Sequence, residues 1–278
     1  MCGIFGLVAT REAVDRQALT SLVSYSEVRG ADSSGLIYHV PSHYEVVRAN
    51  YRLTKLAKRP PKHDSSVVMG HSRLITNGLG DNQPVIRDGV AVIHNGIVVN
   101  HADIWPRIGQ EPRQQIDTEV IAAIAATHLQ QGGEPSELAD RVLELCRGVV
   151  ACAVLVPAIG KLFLFSNNGS LYVGTSEGAL AFASQAFPLQ AIGCAGIKQV
   201  KQATIVDVSM AGSDFAVHEY GARQANLIPD LPWCIKSRCP RNLVRASDRN
   251  AREAGSGQEA LTRMPLRTSG RALGIEAR

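Results

Sequence analysis

Short runs of apolar and β-branched residues recur through the first 220 positions, separated by clusters of Gly, Asn, Asp and Pro. Runs at 2–8, 35–40, 44–48, 66–71, 90–94, 149–156, 161–165, 171–173, 179–183, 203–208 and 215–219 read as strands, being rich in Val, Ile, Leu and Phe and bounded by turn formers. Helices are predicted instead over 16–27, 117–131 and 135–147. In the second of these, Ile121, Ile124, Ala125 and His128 fall on one face, and Gly132-Gly133 supplies the stop.

Strands outnumber helices, and several neighbouring strands are joined by connections too short for a parallel crossover. The link from 161–165 to 171–173 across Asn167-Asn168-Gly169 is one such. The spacing predicts an α+β domain of largely antiparallel sheets with helices packed outside. After Tyr220 the pattern fails: Arg, Ala, Gly and Ser dominate from Arg245 onward, and no run there could bury a face. A boundary is therefore expected near Gly221, with 1–220 as the folded domain and 221–278 as a basic C-terminal tail whose last forty or so residues are poorly ordered. No internal repeat is evident.

Composition removes some function classes. At 278 residues, 45% hydrophobic and 19% charged, the chain can bury a sizeable core. No apolar run approaches the ~20 residues that span a bilayer, and Met1-Cys2-Gly3-Ile4-Phe5-Gly6 lacks the basic n-region and cleavage pattern of a signal peptide. A cytoplasmic location with no membrane partner is expected. Eleven of the 29 Lys and Arg but only five of the 25 Asp and Glu lie in 221–278, so that stretch carries +6 and residues 1–220 carry −2. The basic stretch has one aromatic residue, Trp233, and no regular amphipathic stripe, so no nucleic-acid partner is expected.

Six cysteines in a chain of this length read as thiols of a reducing compartment. Cys146, Cys152 and Cys194 sit among apolar neighbours, as small buried hydrophobes do. Cys234 and Cys239 form a single C-x4-C pair with no second pair near it, short of a zinc pattern, and no metal is expected.

Cys2 is different. Methionine is excised when the next side chain is small, which leaves one residue bearing both a thiol and a free α-amine. An α-amine titrates near ~8, so at neutral pH a useful fraction can accept the thiol proton, directly or through a water. Taken alone, Cys2 is better explained as the start of an apolar strand. Other segments bear on the choice: Arg29-Gly30-Ala31-Asp32-Ser33-Ser34-Gly35, Gly70-His71-Ser72-Arg73-Leu74-Ile75-Thr76, His94-Asn95-Gly96 and Asp117-Thr118-Glu119 follow Met1-Cys2-Gly3-Ile4-Phe5-Gly6 in order.

This ordered set resembles the class II glutamine amidotransferases, and within them most of all the glutaminase domain of glucosamine-6-phosphate synthase. The resemblance runs from Met1 to about Tyr220, with weaker echoes at Arg147-Gly148, Asn168-Gly169-Ser170 and Ala183-Ser184-Gln185. It implies the αββα sandwich of N-terminal-nucleophile hydrolases, two antiparallel sheets packed face to face between helical layers. It also implies hydrolysis of L-glutamine to glutamate and ammonia through a thioester on Cys2, with no cofactor.

By the same resemblance, the Asn95 side chain and the Gly96 backbone N–H form the oxyanion hole. Read alone, Asn95-Gly96 is a hairpin turn after a strand, and both readings can hold. Arg73 would grip the substrate α-carboxylate with its planar fork, with Thr76 helping and Asn77 beside it, while Asp117 would pair with the α-ammonium. Asp117 also suits a helix N-cap. Arg29 resembles the arginine that orders the loop around the nucleophile, and Asp32-Ser33-Ser34-Gly35 reads as architectural. His71 and His94 close apolar strands and read as structural, since the α-amine serves as base.

Leu74 and Asn77 stand where the glucosamine-6-phosphate synthase domain has Trp and His, and Asp81-Asn82-Gln83-Pro84 follows downstream, which leaves the subfamily open. The stretch 74–83 is the candidate for a loop that closes over substrate. Family enzymes pass ammonia to a synthase domain or subunit, and a sugar phosphate is one possible acceptor. Only 221–278 remains here, so the expectation is a stand-alone glutaminase, a subunit serving a partner, or a truncated product. Two alternatives stand beside it: a non-catalytic glutamine-binding or regulatory domain, and an amidohydrolase for another γ-glutamyl substrate.

Overall fold

The computed structural model describes residues 2–9, 13–40, 42–59, 64–75, 81–176, 178–201, 203–208, 215–220 and 261–262. In chain order these form β1 (Gly3–Ala9), α1 (Arg16–Glu27), β2 (Ser33–Val40), β3 (His43–Ala49), α2 (Leu53–Leu56), β4 (Val67–Arg73), β5 (Val85–Arg87), β6 (Val90–His94), β7 (Ile97–Val98), α3 (His101–Ile108), α4 (Thr118–Gln130) and α5 (Leu138–Leu145). Then come β8 (Gly148–Val149), β9 (Ala151–Val156), β10 (Lys161–Ser166), β11 (Tyr172–Ser176), β12 (Ala179–Ala183), α6 (Ala186–Ala191), β13 (Ala195–Gln199), β14 (Thr204–Asp207), β15 (Phe215–Tyr220) and β16 (Leu261–Thr262).

The strands make a large sheet of order β13-β11-β12-β1-β4-β2-β3-β15-β16, a smaller one of order β14-β10-β9-β6-β5, and a β7-β8 ribbon. Among the described residues every pairing is antiparallel except β3 with β15. Period-two alternation then builds the layers. In β1, Ile4 and Val8 face the layer between the sheets, whereas Phe5 and Leu7 face the opposite side, toward Leu22 and Val23 of α1, Leu53 and Leu56 of α2 and Leu189 of α6. In the small sheet, Ile93, Ala153, Leu155, Leu162 and Leu164 enter the same inter-sheet layer. Their neighbours Val92, Cys152, Val154, Phe163 and Phe165 pack outward against α3, α4 and α5. The result is the αββα sandwich that the resemblance implied.

Several local expectations are corrected. The link across Asn167-Asn168-Gly169 is no hairpin: β10 belongs to the small sheet and β11 to the large one. Asn167 is instead tied to Val150, exchanging N–H···O bonds of 2.9 Å through its backbone and side chain, and the chain crosses to Leu171, buried between the sheets. The run 149–156 divides at Val150, because Val149 pairs with Ile97 while β9 begins at Ala151.

Helix α4 has no single buried face. All residues from Thr118 to Ala126 are buried, since the helix lies between β5 and β6 on one side and α3 and α5 on the other. The alanines that spaced the apolar stripe allow that close approach from both sides. The predicted helix at 135–147 opens as a 3-10 turn and ends at Leu145. Helices α2, α3 and α6 and strands β5, β7 and β13 were not foreseen; α3 contains Pro106, β13 is exposed along most of its length, and the others are too short for a periodic signal. Within the expected tail, Leu261 and Thr262 pair with β15. Cys234, Cys239 and the rest of that stretch lie outside the described residues.

Candidate active site

Strand register brings the first two site residues together. In the β1–β4 pairing Gly3 sits opposite Ser72, so Cys2, one residue before β1, falls beside Arg73, the last residue of β4. The Cys2 thiol donates to the Leu74 carbonyl at 3.7 Å. The Arg29 Nε donates to the Cys2 carbonyl at 2.9 Å. Arg29 is held there because α1, capped at its start by Asp15, is joined at its end to β4 by Ser26 and Ser72, whose hydroxyls lie 2.9 Å apart. The Arg29 contact fits an arginine that orders the nucleophile's backbone.

Arg73 is 2% exposed and donates through Nη1 to the Asp81 carbonyl. Asp32 joins both sides of this turn, its N–H reaching the Arg73 carbonyl at 3.0 Å and its carboxylate accepting from Ile75 N–H at 2.9 Å. Ser33 and Ser34 hydrogen-bond to Asn82 and to the Tyr51 carbonyl. These partners suit the architectural reading of Asp32-Ser33-Ser34.

The second group comes from the end of β6 and the start of α4. Asn95-Gly96 is not a hairpin turn, because β7 continues to pair with β8 rather than folding back on β6. Asn95 N–H reaches the Ala151 carbonyl at 2.8 Å. A Cβ on Gly96 would lie 1.9 Å from the Val149 carbonyl oxygen, so only glycine lets the chain pass. Asn95 is 3% exposed, and its carboxamide has no hydrogen-bond partner among the described residues.

Asp117 occupies the N-cap position of α4 without capping it. Its backbone is already helical, φ −59° and ψ −27°, not the extended geometry from which a side chain reaches the following N–H groups. Its Oδ2 accepts from Val98 N–H at 2.7 Å instead, which leaves Oδ1 unbonded among the described residues. Glu119 serves the loop before the helix, accepting from the N–H groups of Arg113 and Gln114 at 2.9 Å and from Arg87 Nη1 at 2.7 Å.

The charges converge. Burial pushes the Cys2 thiol up from its ordinary range; the Arg73 guanidinium pulls it down and Asp117 pushes it up. Burial likewise lowers Arg73, against the opposing pull of Cys2 and Asp117.

Burial holds both histidines below the ordinary imidazole range, so each is neutral at pH 7. His94 Nε2 donates to the Val149 carbonyl at 3.0 Å, and Nδ1 lies 3.3 Å from the Thr118 hydroxyl, the arrangement of a neutral ring that accepts at Nδ1. Among the described residues the His71 ring meets no full hydrogen-bond partner at either nitrogen, and its nearest polar neighbour is the His94 backbone. Neither ring is bonded to Cys2.

Thr76 and Asn77 lie outside the described residues, as does Met1. Among the described residues no three His, Cys, Asp or Glu side chains are grouped to hold a metal ion. No described helix is long and apolar enough to cross a membrane. Sequence reasoning missed the polar segment Asn82-Gln83: Asn82 Nδ2 donates to the carbonyls of Ser34 (2.9 Å) and Ala49 (3.1 Å), and Gln83 bonds to both backbone groups of His94. Asp81-Asn82-Gln83-Pro84 stood out as a departure from the glucosamine-6-phosphate synthase pattern, but nothing in the sequence named its partners.

Residues 71–191 match the glutamine amidotransferase domain family. The glutamine–fructose-6-phosphate aminotransferase (isomerizing) of Mesorhizobium japonicum is 31% identical over 198 residues, covering 68% of this chain and 32% of the relative. The enzyme of that name from Xylella fastidiosa is 31% identical over 193 residues, covering 66% and 31%. The chain thus spans about a third of the length of the curated relatives it matches.

The fold is similar to that of glutamine phosphoribosylpyrophosphate amidotransferase from B. subtilis, with TM-score 0.57 and 19% identity over 75% of this chain and 50% of that one. A structure described as the allosteric regulatory enzyme of purine biosynthesis gives 0.58 and 20%, over 75% and 49%. The ordered motifs, the register that joins Cys2 to Arg73, and the family match agree: the chain carries a glutamine amidotransferase domain, similar to the class II glutamine amidotransferases.

Proposed function

We propose that this chain hydrolyses L-glutamine to glutamate and ammonia, with Cys2 as the nucleophile once Met1 is removed. The observation that carries this reading is the β1–β4 register, which sets Cys2 beside Arg73, with Asp117 near enough for its charge to act on both. Arg73 and Asp117 carry the charges needed to hold the carboxylate and the ammonium of an amino acid whose side-chain amide reaches the sulfur. Asp117 supports this with its unbonded Oδ1. Thr76 and Asn77 complete the carboxylate site.

In the reaction, Sγ attacks the carboxamide carbon while its proton passes to the Cys2 α-amine. The tetrahedral oxyanion is held by the Asn95 carboxamide and the Gly96 N–H. Collapse breaks the C–N bond, and the departing ammonia takes the proton from the α-ammonium, leaving a thioester. Water attacks the thioester, the α-amine accepts its proton, and the second oxyanion collapses to glutamate and free thiol. Apart from water, every group used is a side chain, a backbone N–H or the Cys2 α-amine.

The ammonia goes to an acceptor on a synthase domain or partner subunit, and fructose 6-phosphate, named in the relatives, is one acceptor of suitable chemistry. Residues 1–220 form the glutaminase domain, 221–278 a basic tail, and the protein works in the cytoplasm. The test is glutamate release by the purified chain. Wild type should release glutamate, Cys2→Ala none and Cys2→Ser nearly none. Turnover retained in Cys2→Ala would exclude this mechanism. Glutamine binding without turnover would point to a regulatory domain, and turnover confined to another γ-glutamyl compound to an amidohydrolase.

A further inference from the structure

We propose that Gln83 is a positioning residue of the oxyanion hole: its side-chain carboxamide holds both backbone groups of His94 and so sets where Asn95 and Gly96 present their donors. This rests on the glutaminase reading of the site. The β5–β6 register pairs Arg87 with Val90 and Val85 with Val92. Carried two residues further, it places Gln83 opposite His94. No strand exists there, because β5 begins at Val85 and Pro84 has no N–H to extend the ladder.

The Gln83 side chain replaces the missing strand. Its Oε1 accepts from His94 N–H at 2.6 Å and its Nε2 donates to the His94 carbonyl at 3.1 Å. This is the two-bond exchange that an opposed backbone residue would make. The end of β6 is then held on one edge by β9 and on the other by a single side chain.

Gln83 is itself fixed from the opposite sheet. A Cβ on Gly35 of β2 would lie 2.1 Å from the Gln83 carbonyl oxygen and 2.5 Å from Pro84 Cδ, so the Gln83-Pro84 peptide lies flat on bare backbone. Asn82 bonds to the carbonyls of Ser34 and Ala49 on β2 and β3. Gln83 is 4% exposed, so without its carboxamide the His94 N–H would be buried and unpaired, and the His94 C=O would keep only the His71 ring as a polar neighbour. The backbone would shift to satisfy them, and Asn95 and Gly96, the next two residues, would shift with it. Two residues before Gln83, the Asp81 carbonyl accepts from Arg73. One short segment therefore joins the carboxylate anchor to the oxyanion donors.

The test uses the full chain with Gln83→Met, which keeps length but makes no hydrogen bond, and Gln83→Glu, which keeps the acceptor but cannot donate when ionised. Both variants should still unfold cooperatively, at a temperature lowered by no more than about ten degrees. In Gln83→Met, kcat for glutamine should fall about 100-fold, as for a displaced or lost oxyanion donor, with KM within about threefold; in Gln83→Glu, it should fall at least about tenfold.

On a Cys2→Ala background, adding Gln83→Met should leave the glutamine Kd unchanged within about threefold. A wild-type kcat in a folded Gln83→Met protein overturns the proposal. So does an equal loss of glutamine affinity and kcat, or failure of both variants to fold, each of which marks Gln83 as structural support only. A wild-type chain that neither releases glutamate nor is alkylated at Cys2 by 6-diazo-5-oxo-L-norleucine removes the glutaminase reading, and this proposal with it.

Discussion

The two sheets contribute to the site in different ways. On the large sheet, Cys2 and Arg73 sit at adjacent ends of β1 and β4, and Arg29 reaches the Cys2 carbonyl from the end of α1; backbone register alone brings nucleophile and guanidinium together. On the small-sheet side, Asn95, Gly96 and Asp117 lie outside regular pairing. They are held by side chains grasping backbone: Gln83 on His94, His94 on Val149, Asp117 on Val98. The first half is as rigid as the sheet it belongs to. The second is only as well placed as a few buried hydrogen bonds, each worth ~1 kcal/mol net but costing more when one partner is left unpaired.

Kinetics should separate the halves. Asn95→Ala should lower kcat for glutamine by about 10²–10³-fold with little change in KM, whereas Arg73→Ala and Asp117→Ala should chiefly raise KM. Unchanged kcat in Asn95→Ala would remove it from the hole. Stability should divide differently. Arg87 and Glu119, 2.7 Å apart and both buried, fix the start of α4. Arg87→Ala should cost about 3–5 kcal/mol in urea unfolding, the usual result of leaving one buried charge unpaired. A loss below about 1 kcal/mol would show that the small-sheet half does not depend on that pair.

Acid should weaken the fold through the two neutral histidines, one on each sheet. Burial lowers the pKa of His71 and His94 in the folded state. A depressed folded pKa gives stability that is fully present above the unfolded value, about 6.5, and is lost as pH falls toward the folded value. The urea midpoint should therefore hold above about pH 7 and decline below about 6.5. In NMR both rings should titrate below the ordinary imidazole range, His71 well below it; a His71 resonance titrating normally would contradict its burial. The smallest effect is expected from removing 245–278, which should leave basal glutamate release unchanged, as no chemistry is assigned there.

How much could be read from sequence follows the same division. The strands of β1, β2, β4, β6 and β9 show as apolar runs because each is buried on both faces, so hydrophobicity marks them whatever their neighbours. Cys2 and Arg73 stand at those strand ends but were named through the motif resemblance, since the apolar run before Arg73 stops at 71. Asn95-Gly96 was legible as a motif, but its local reading as a hairpin failed, because a turn is decided by where the following strand pairs and β7 pairs with β8. The capping role of Asp117 failed for a related reason: the dipeptide frame suits a cap, but the carboxylate was captured by Val98, nineteen residues earlier. Gln83 stood out only as part of a departure from the resembled pattern, and its role gave no signal, since its partners are backbone atoms, which carry no sequence mark. In α4, periodicity misjudged burial because packing from two sides hides a helix that a one-sided stripe would expose.

The account's central claim is that Cys2 is the N-terminal nucleophile of a glutaminase site, and intact mass before and after 6-diazo-5-oxo-L-norleucine tests it most directly. The untreated chain should have lost Met1. Treatment should add one reagent-derived group at Cys2 and none in Cys2→Ala, excess glutamine should protect, and glutamate release should stop in step with labelling. A chain that keeps Met1 and is fully active, or one labelled and inactivated at a residue other than Cys2, would contradict it.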